Sequence, residues 1–293
     1  MRANQICAAD LLQVSRLGRK RDRMVDAFDR EEADAFAGRI GKGDSRKVLD
    51  EVFDERTLKA LHKLMNIGHL QTLDFPVATG KEASVFVGLT KRSDEVAVKI
   101  YRVSNATFNS IRRYIADDPR FRGLSHDRRT VIYAWAMKEY KNLVRMHDAG
   151  VSVPVPIAYL ENVLIMEYLY VGENHDPAPV LRGVREFDAT KVYRRLRRDV
   201  RRMVKVGRLV HGDISEYNIV LVEGRPILID VSQGVVLDHP SAREYLRRDA
   251  ENLVHFFRKR GITESAQELY DYWTRGVSFE GPARRKKGRA EEE

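Results

Sequence analysis

An aspartate and an asparagine with four residues between them, Asp213 and Asn218, lie in the stretch His211-Gly212-Asp213-Ile214-Ser215-Glu216-Tyr217-Asn218. At this spacing a carboxylate can take or orient the proton of an attacking hydroxyl while the amide oxygen holds a divalent cation, as in catalytic loops that move phosphoryl groups. A second carboxylate, Asp230, follows. Between them, Ile219 to Val222 reads as a strand, Glu223-Gly224-Arg225 as a turn and Ile227 to Ile229 as the returning strand. An antiparallel hairpin returns its end to its beginning, so Asn218 and Asp230 meet at one open end. Two oxygen ligands held there suit Mg²⁺ bound together with nucleotide phosphates. A hairpin with a merely polar mouth would show the same residues, and one Asp-x4-Asn is a weak motif alone. The second carboxylate strengthens it.

Val96-Ala97-Val98-Lys99-Ile100 reads as a strand whose period of two puts Val96, Val98 and Ile100 on one face and Ala97 and Lys99 on the other. A small residue beside a lysine suits a flat base with phosphates further along. An edge-strand lysine would look the same. The helix predicted from Thr130 to Asp148 carries an apolar stripe, Ile132, Ala136, Leu143 and Met146, whose missing member is Glu139. A carboxylate inside a buried stripe is costly unless paired, and Lys99 is the obvious partner, although a broad helix face can also leave such a group solvated. Thr79-Gly80-Lys81-Glu82-Ala83-Ser84-Val85, between two strands, can cover phosphates with backbone N–H groups, but it is neither a Walker A loop nor a G-x-G-x-x-G.

The elements that position these residues form a strand-rich half followed by a helix-rich half. Residues 1–45 read as a charged arm. A helix is expected from Ser45 to Asn66, ended by Gly68, then strands at Leu73–Val77, Ser84–Leu89 and Val96–Tyr101. Arg102 to Arg129 reads as a long polar connection. After the Thr130 helix come strands at Ile157–Leu160 and Val163–Leu169, a loop over residues 172–185, and a helix from Ala189 to Val206 stopped by Gly207. A last helix from Ser241 to Arg260 has capping-box spacing at Ser241 and Glu244 and ends at Gly261. The boundaries expected are 46–168 for the first lobe, 169–275 for the second and 276–293 for a tail containing Arg284 to Arg289.

Composition sets outer limits. The chain has 293 residues, 43% of them hydrophobic, enough for one large domain or two lobes. No run approaches the roughly 18 apolar residues of a membrane span, and no secretory signal is visible. Cys7 is the only cysteine, which excludes an internal disulfide and a thiolate cluster and suits a reducing cytoplasm. A net charge of +9 favours polyanionic partners such as ATP or RNA, or reflects solvated helix faces.

With these residues on the page, the chain resembles the RIO family of atypical serine/threonine protein kinases, and most closely its Rio-one branch in an archaeal-like form. Ala78 to Ala83 is similar to that branch's phosphate loop, the Asp213 stretch to its catalytic loop, and Ile229-Asp230-Val231-Ser232-Gln233 to its metal loop. The likeness runs from about Asp50 to Ile262. The second RIO branch, with its winged-helix domain, fits less well. One departure is Ala78, where the family often has serine.

The resemblance implies an α+β, two-lobed protein-kinase-like fold. It has a strand-rich N-lobe with an extra N-terminal helix, and a reduced helical C-lobe without an activation segment. It implies ATP with Mg²⁺, or Mn²⁺ in its place. Asp213 would be catalytic, Asn218 and Asp230 would bind metal, and Lys99 would hold phosphates and pair with Glu139. In the hinge, Met166, the Glu167 carbonyl and the Leu169 amide would meet adenine beside Ala97, with Thr79, Gly80, Lys81 and Glu82 over the triphosphate. Family members can form an aspartyl-phosphate, here at Asp230, which implies an ATPase cycle beside protein phosphorylation. Gly212 stands where ordinary kinases carry the arginine that reads a phosphorylated activation loop, and no Ala-Pro-Glu follows Asp230. The implied partner is the maturing small ribosomal subunit with its rRNA; the protein substrate is unidentified. The helix 189–206 fits that partner: Val192, Leu196, Val200 and Met203 form a buried stripe, leaving Arg194, Arg195, Arg197, Arg198, Arg201 and Arg202 for phosphate contacts or for solvent. Two alternatives stay open: a small-molecule phosphotransferase of the aminoglycoside or choline kinase kind, and an RNA-binding scaffold.

Overall fold

The computed structural model describes residues 53–279, apart from 117 and 126. The charged arm, the start of the first expected helix and the Arg284–Arg289 tail lie outside the described residues.

The first helix, α1 (Glu55–Ile67), starts where the Asp54 carboxylate accepts from the Thr57 amide. It ends at Gly68, whose φ of 94° lets its N–H reach back to the last turn, a conformation that costs glycine little. Leu61 and Leu64 are buried against the sheet, each contributing roughly 1.5–3 kcal/mol by leaving water.

That sheet has five strands: β1 (Thr72–Thr79), β2 (Ala83–Leu89), β3 (Glu95–Tyr101), β4 (Pro156–Leu160) and β5 (Val163–Glu167), in the order β1-β2-β3-β5-β4 with every neighbour antiparallel. Pro76 is tolerated because β1 is an edge strand and its register slips on either side of Pro76. The pairing sets one face residue by residue. Val87 lies opposite Ala97, Val85 opposite Lys99, and Met166 and Leu164 oppose the same two from the other side.

The polar stretch after β3 is not a bare connection. It holds α2 (Asn105–Ala116) and a short turn at Pro119–Phe121. Ile111 and Ile115 are buried, with Phe108 packed beside them, a helical spacing present in the sequence but diluted by the polar residues around it. Helix α3 (Arg128–Asp148) starts on the Asp127 carboxylate and buries Ile132, Ala136, Glu139, Leu143 and Met146 as expected.

The helical half packs around one large apolar cluster. It contains a two-residue hairpin, β6 (Tyr170–Val171) with β7 (Asp176–Pro177); α4 (Ala189–Lys205); β8 (Leu209–Val210); the hairpin β9 (Ile219–Val222) with β10 (Arg225–Leu228); β11 (Val235–Val236), paired with β8; α5 (Ala242–Arg258); and α6 (Ala266–Thr274). Two expectations are corrected here. Ser241 makes no side-chain cap, because its ψ of 7° is not extended and its amide is taken by His239 Nδ1; the capping box belongs to Ser265 and Glu268, which start the unexpected α6. On α4, Arg197 and Arg201 are half-buried and engaged within the fold. Arg197 grips Glu264 with two nitrogens and lies 3.4 Å from the Tyr272 ring centre, and Arg201 bonds the Tyr272 carbonyl. No helix among the described residues is long and apolar enough to cross a membrane.

Candidate active site

The sheet face defined by the β2–β3–β5 register and the open end of the β9–β10 hairpin enclose a cavity of about 530 Å³. Its apolar end is made by Val77, Val85, Ala97 and Met166 beside Tyr168, an apolar sleeve that could take a planar ring. Its polar end is made by Lys99, Asn218 and Asp230, with Gly80, Lys81 and Glu82 along one edge and Glu167 to Leu169 along another. The lining therefore includes most of the expected residues. Thr79, exposed at the end of β1, and Asp213 are not part of it.

The hairpin closes as its sequence predicts. Ile219 pairs with Leu228, and the Ile229 amide donates to the Asn218 carbonyl at 3.0 Å, so Asn218 and Asp230 share one end. Asn218 Nδ2 donates to the Asp213 carboxylate at 2.9 Å and to its carbonyl at 2.8 Å. That spends the amide nitrogen on the loop that carries Asp213 and leaves the side-chain oxygen for a cation. Asp213 is thereby tied to the cavity through a residue that lines it. Burial pushes its carboxyl above the usual range and the Asp230 charge adds to this, while Asn218 opposes them.

Lys99 sits between two carboxylates, 2.9 Å from Glu139 and 3.1 Å from Asp230. Burial pulls its ammonium down, but the two negative charges outweigh it and hold Lys99 well above the ordinary lysine value. Tyr101 donates its hydroxyl to the other Glu139 oxygen. Burial raises Asp230, yet Lys99 and the Ser232 hydroxyl at 2.8 Å more than compensate, so it stays ionised below the usual carboxylate range. Asp230 is also left-handed, φ 54°, a conformation uncommon for non-glycine residues though aspartate is among those that tolerate it. Its side chain is 48% exposed, onto the cavity.

Several residues that shape the site carry no recognisable motif. Asp249 on α5 is fully buried and accepts from the Gly212 amide at 2.8 Å and the Ile214 amide at 2.9 Å; Asn252 donates to the Ile214 carbonyl, and Arg248 to that of Gly212. Together they hold both sides of Asp213. Gly212 has φ 79°, so a glycine rather than an arginine follows from the loop's path. Burial pushes the Asp249 carboxyl up to about 7 and lowers His211 to about 4, so His211 is neutral and its Nε2–H donates to the Ile229 carbonyl. Gln233 approaches Asp213 at 3.4 Å. No group of three or more His, Cys, Asp or Glu among the described residues could hold a metal by itself. The two-ligand set Asn218 and Asp230 fits a cation that is otherwise coordinated by nucleotide oxygens.

Residues 84–269 match the model of the RIO domain. The RIO-type serine/threonine-protein kinase Rio1 of Haloferax volcanii is 42% identical over 253 residues, 86% of either chain. The Rio1 of Methanocaldococcus jannaschii is 39% identical over 228 residues, covering 78% of this chain and 77% of its own. Human RIO1 is 33% identical over 86% of this chain but 45% of its own length. Among solved structures, the Rio2 kinase of Chaetomium thermophilum, in an ADP/Mg²⁺-phosphoaspartate complex, superposes with a TM-score of 0.57 at 24% identity over 73% of this chain and 65% of its own; that likeness speaks to the fold. The chain belongs to the RIO family of atypical serine/threonine protein kinases.

Proposed function

We propose that this ATP-dependent kinase transfers the terminal phosphoryl group of ATP through Lys99, Asp213, Asn218 and Asp230, and that Asp230 can itself accept phosphate in an ATPase cycle. The observation that carries the reading is the gathering of Lys99, Asn218 and Asp230 on one end of a cavity whose other end is apolar. The lobes would meet at Tyr168 and Leu169. ATP would lie with adenine in the sleeve against Ala97 and Met166, meeting the Glu167 carbonyl and the Leu169 amide, with Thr79, Gly80, Lys81 and Glu82 near the phosphates. Asn218 and Asp230 would hold Mg²⁺, or Mn²⁺ in its place; when bound, the cation neutralises phosphate charge. Lys99, kept cationic by Glu139, holds phosphate oxygens. Asp213 orients the serine or threonine hydroxyl and takes its proton, a task its raised carboxyl suits.

Two features support Asp230 as an acceptor. Its Oδ1 is occupied by Lys99 and Ser232, whereas Oδ2 has no hydrogen-bond partner among the described residues, and the side chain opens onto the cavity. The Rio2 relative is described as a phosphoaspartate complex. We place this activity in small-ribosomal-subunit maturation in the cytoplasm, with rRNA met by the exposed Arg194, Arg198 and Arg202 of α4. Asp213→Asn is expected to abolish phosphotransfer to protein while ATP still binds; full activity in that variant would remove Asp213 from the mechanism. Asp230→Ala is expected to weaken Mg²⁺-dependent nucleotide binding and to remove any acid-stable, hydroxylamine-labile phosphate from the chain.

A further inference from the structure

Lys138 precedes Glu139 on α3 and is fully buried. Its Nζ lies 4.8 Å from the Trp135 ring centre and donates to the Ser232 carbonyl at 2.8 Å. One turn further, the buried Asn142 donates to the Val231 carbonyl at 2.8 Å and the Gly234 carbonyl at 3.0 Å. Arg120, held by the buried Asp118, donates to Asn142 Oδ1 at 2.8 Å and to the Gly234 carbonyl at 3.1 Å. Three of the four carbonyls immediately after Asp230 are therefore fixed by side chains of α3 and of the turn before it. Burying an amine is costly, and an apolar side chain of similar length would fill the site without that cost. A polar amine placed there to bond one loop carbonyl is an expensive way merely to fill space.

We propose that Lys138 and Asn142, with Arg120, are positioning residues that set the Asp230 carboxylate for its cation by clamping the Val231–Gly234 backbone to α3. The proposal rests on Asp230 being a metal ligand. Adjacent residues of one helix then act on Asp230 from two sides: Glu139 through Lys99 on its side chain, Lys138 and Asn142 through the backbone that follows it. The backbone at Asp230 is left-handed, an uncommon conformation that such a clamp would hold in place. The loop and α3 accordingly move as one body.

The full chain is assayed for ATP turnover against Mg²⁺ concentration, with ATP KM at saturating Mg²⁺ and thermal stability measured alongside, in wild type, Lys138→Met, Gly234→Ala and Asp230→Asn. Gly234→Ala attacks the clamp from the loop side. Its φ of −54° accepts alanine, but the new Cβ would lie 2.9 Å from Asn142 Nδ2 and 3.0 Å from the Val231 carbonyl. Lys138→Met and Gly234→Ala are each expected to raise half-saturating Mg²⁺ by about 10–100-fold, as loss of groups that orient metal ligands does, with ATP KM at saturating Mg²⁺ little changed. Lower stability with wild-type Mg²⁺ dependence in both variants would overturn the proposal and leave a purely structural role. Wild-type Mg²⁺ dependence in Asp230→Asn would instead remove the metal reading beneath it. Should neither clamp variant fold, hydrogen exchange of the nucleotide-free wild type decides. A Gly234 amide as protected as those of α3 supports the clamp, and one exchanging at the rate of an open loop refutes it.

Discussion

Replacing Glu139 with glutamine separates charge from shape at the centre of the site. The side chain is 1% exposed, and its two oxygens serve Lys99 at 2.9 Å and the Tyr101 hydroxyl. Glutamine keeps the length but has one acceptor. The arrangement losing least gives that oxygen to Lys99 and lets the new amide donate to Tyr101, whose hydroxyl can rotate to accept. The loss is then the difference between a charge-assisted and a neutral hydrogen bond, about 1–2 kcal/mol. Complete removal of one partner from a buried pair costs about 3–5 kcal/mol. Lys99 keeps Asp230 at 3.1 Å, which holds the glutamine variant to the smaller figure. Glu139→Ala, which also leaves a cavity, should approach the larger one. Each 1.4 kcal/mol or so is a factor of ten in rate, so kcat/KM for ATP should fall about tenfold in Glu139→Gln and about 100–1000-fold in Glu139→Ala. Steady-state turnover and thermal melts read both effects. Equal activity of glutamine, alanine and wild type would refute the claim that pairing with Glu139 makes Lys99 competent.

Asp249 gives a pH signature. Its carboxyl is near 7 in the folded chain against 3.8 for the ordinary group, so the folded state binds more protons between those values. Its contribution to stability is full below pH 3.8 and is lost as pH rises to about 7, with a slope of at most about 1.4 kcal/mol per pH unit; Asp249→Asn should remove that slope, as urea melts across the window would show. The same variant faces the Gly212 and Ile214 amides with one acceptor instead of two, so kcat should fall with little change in ATP affinity. On α4, Arg197→Ala should lower stability by about 1–2 kcal/mol through loss of Glu264 and the Tyr272 stack, whereas Arg198→Ala should stay within about 0.5 kcal/mol and, if α4 meets RNA, reduce the salt dependence of RNA binding. Gly88→Ala puts a Cβ 2.6 Å from Leu70 Cδ1 and 2.8 Å from the Thr72 carbonyl, so it should cost about 1–3 kcal/mol in thermal stability without altering ATP KM.

The site was legible where the chemistry follows the period of an element. Alternation put Ala97 with Lys99, helical spacing exposed Glu139 as the odd member of an apolar stripe, and the geometry of a tight hairpin joined Asn218 to Asp230. The Thr79–Val85 stretch was readable only as a glycine-containing loop between strands; Gly80, Lys81 and Glu82 line the cavity, while Thr79 ends β1 just outside that lining. Helix α2 was missed because asparagine, serine and arginine surround the spacing of Phe108, Ile111 and Ile115. The capping box was assigned to Ser241 because spacing alone cannot report ψ; only Ser265 has the extended backbone a cap needs.

The side chains around the site that escaped reading share one physical form. Lys138, Asn142, Arg248, Asp249 and Asn252 each bond backbone groups of a distant loop. A backbone carbonyl or amide has no residue type, so such a bond leaves no complementary letter elsewhere in the chain. A buried salt bridge leaves two, which is why Glu139 could be matched to Lys99. One trace does remain: a charged or amide residue at a position the helical period assigns to the core must find a partner. Lys138 and Asn142 flank Glu139 on α3, and Asp249 lies between Leu246 and Leu253 on α5, all of them buried. Where no opposite charge is available to such a residue, a backbone group of a neighbouring loop is the remaining candidate. In this fold the loops that neighbour α3 and α5 are the two that carry Asp230 and Asp213.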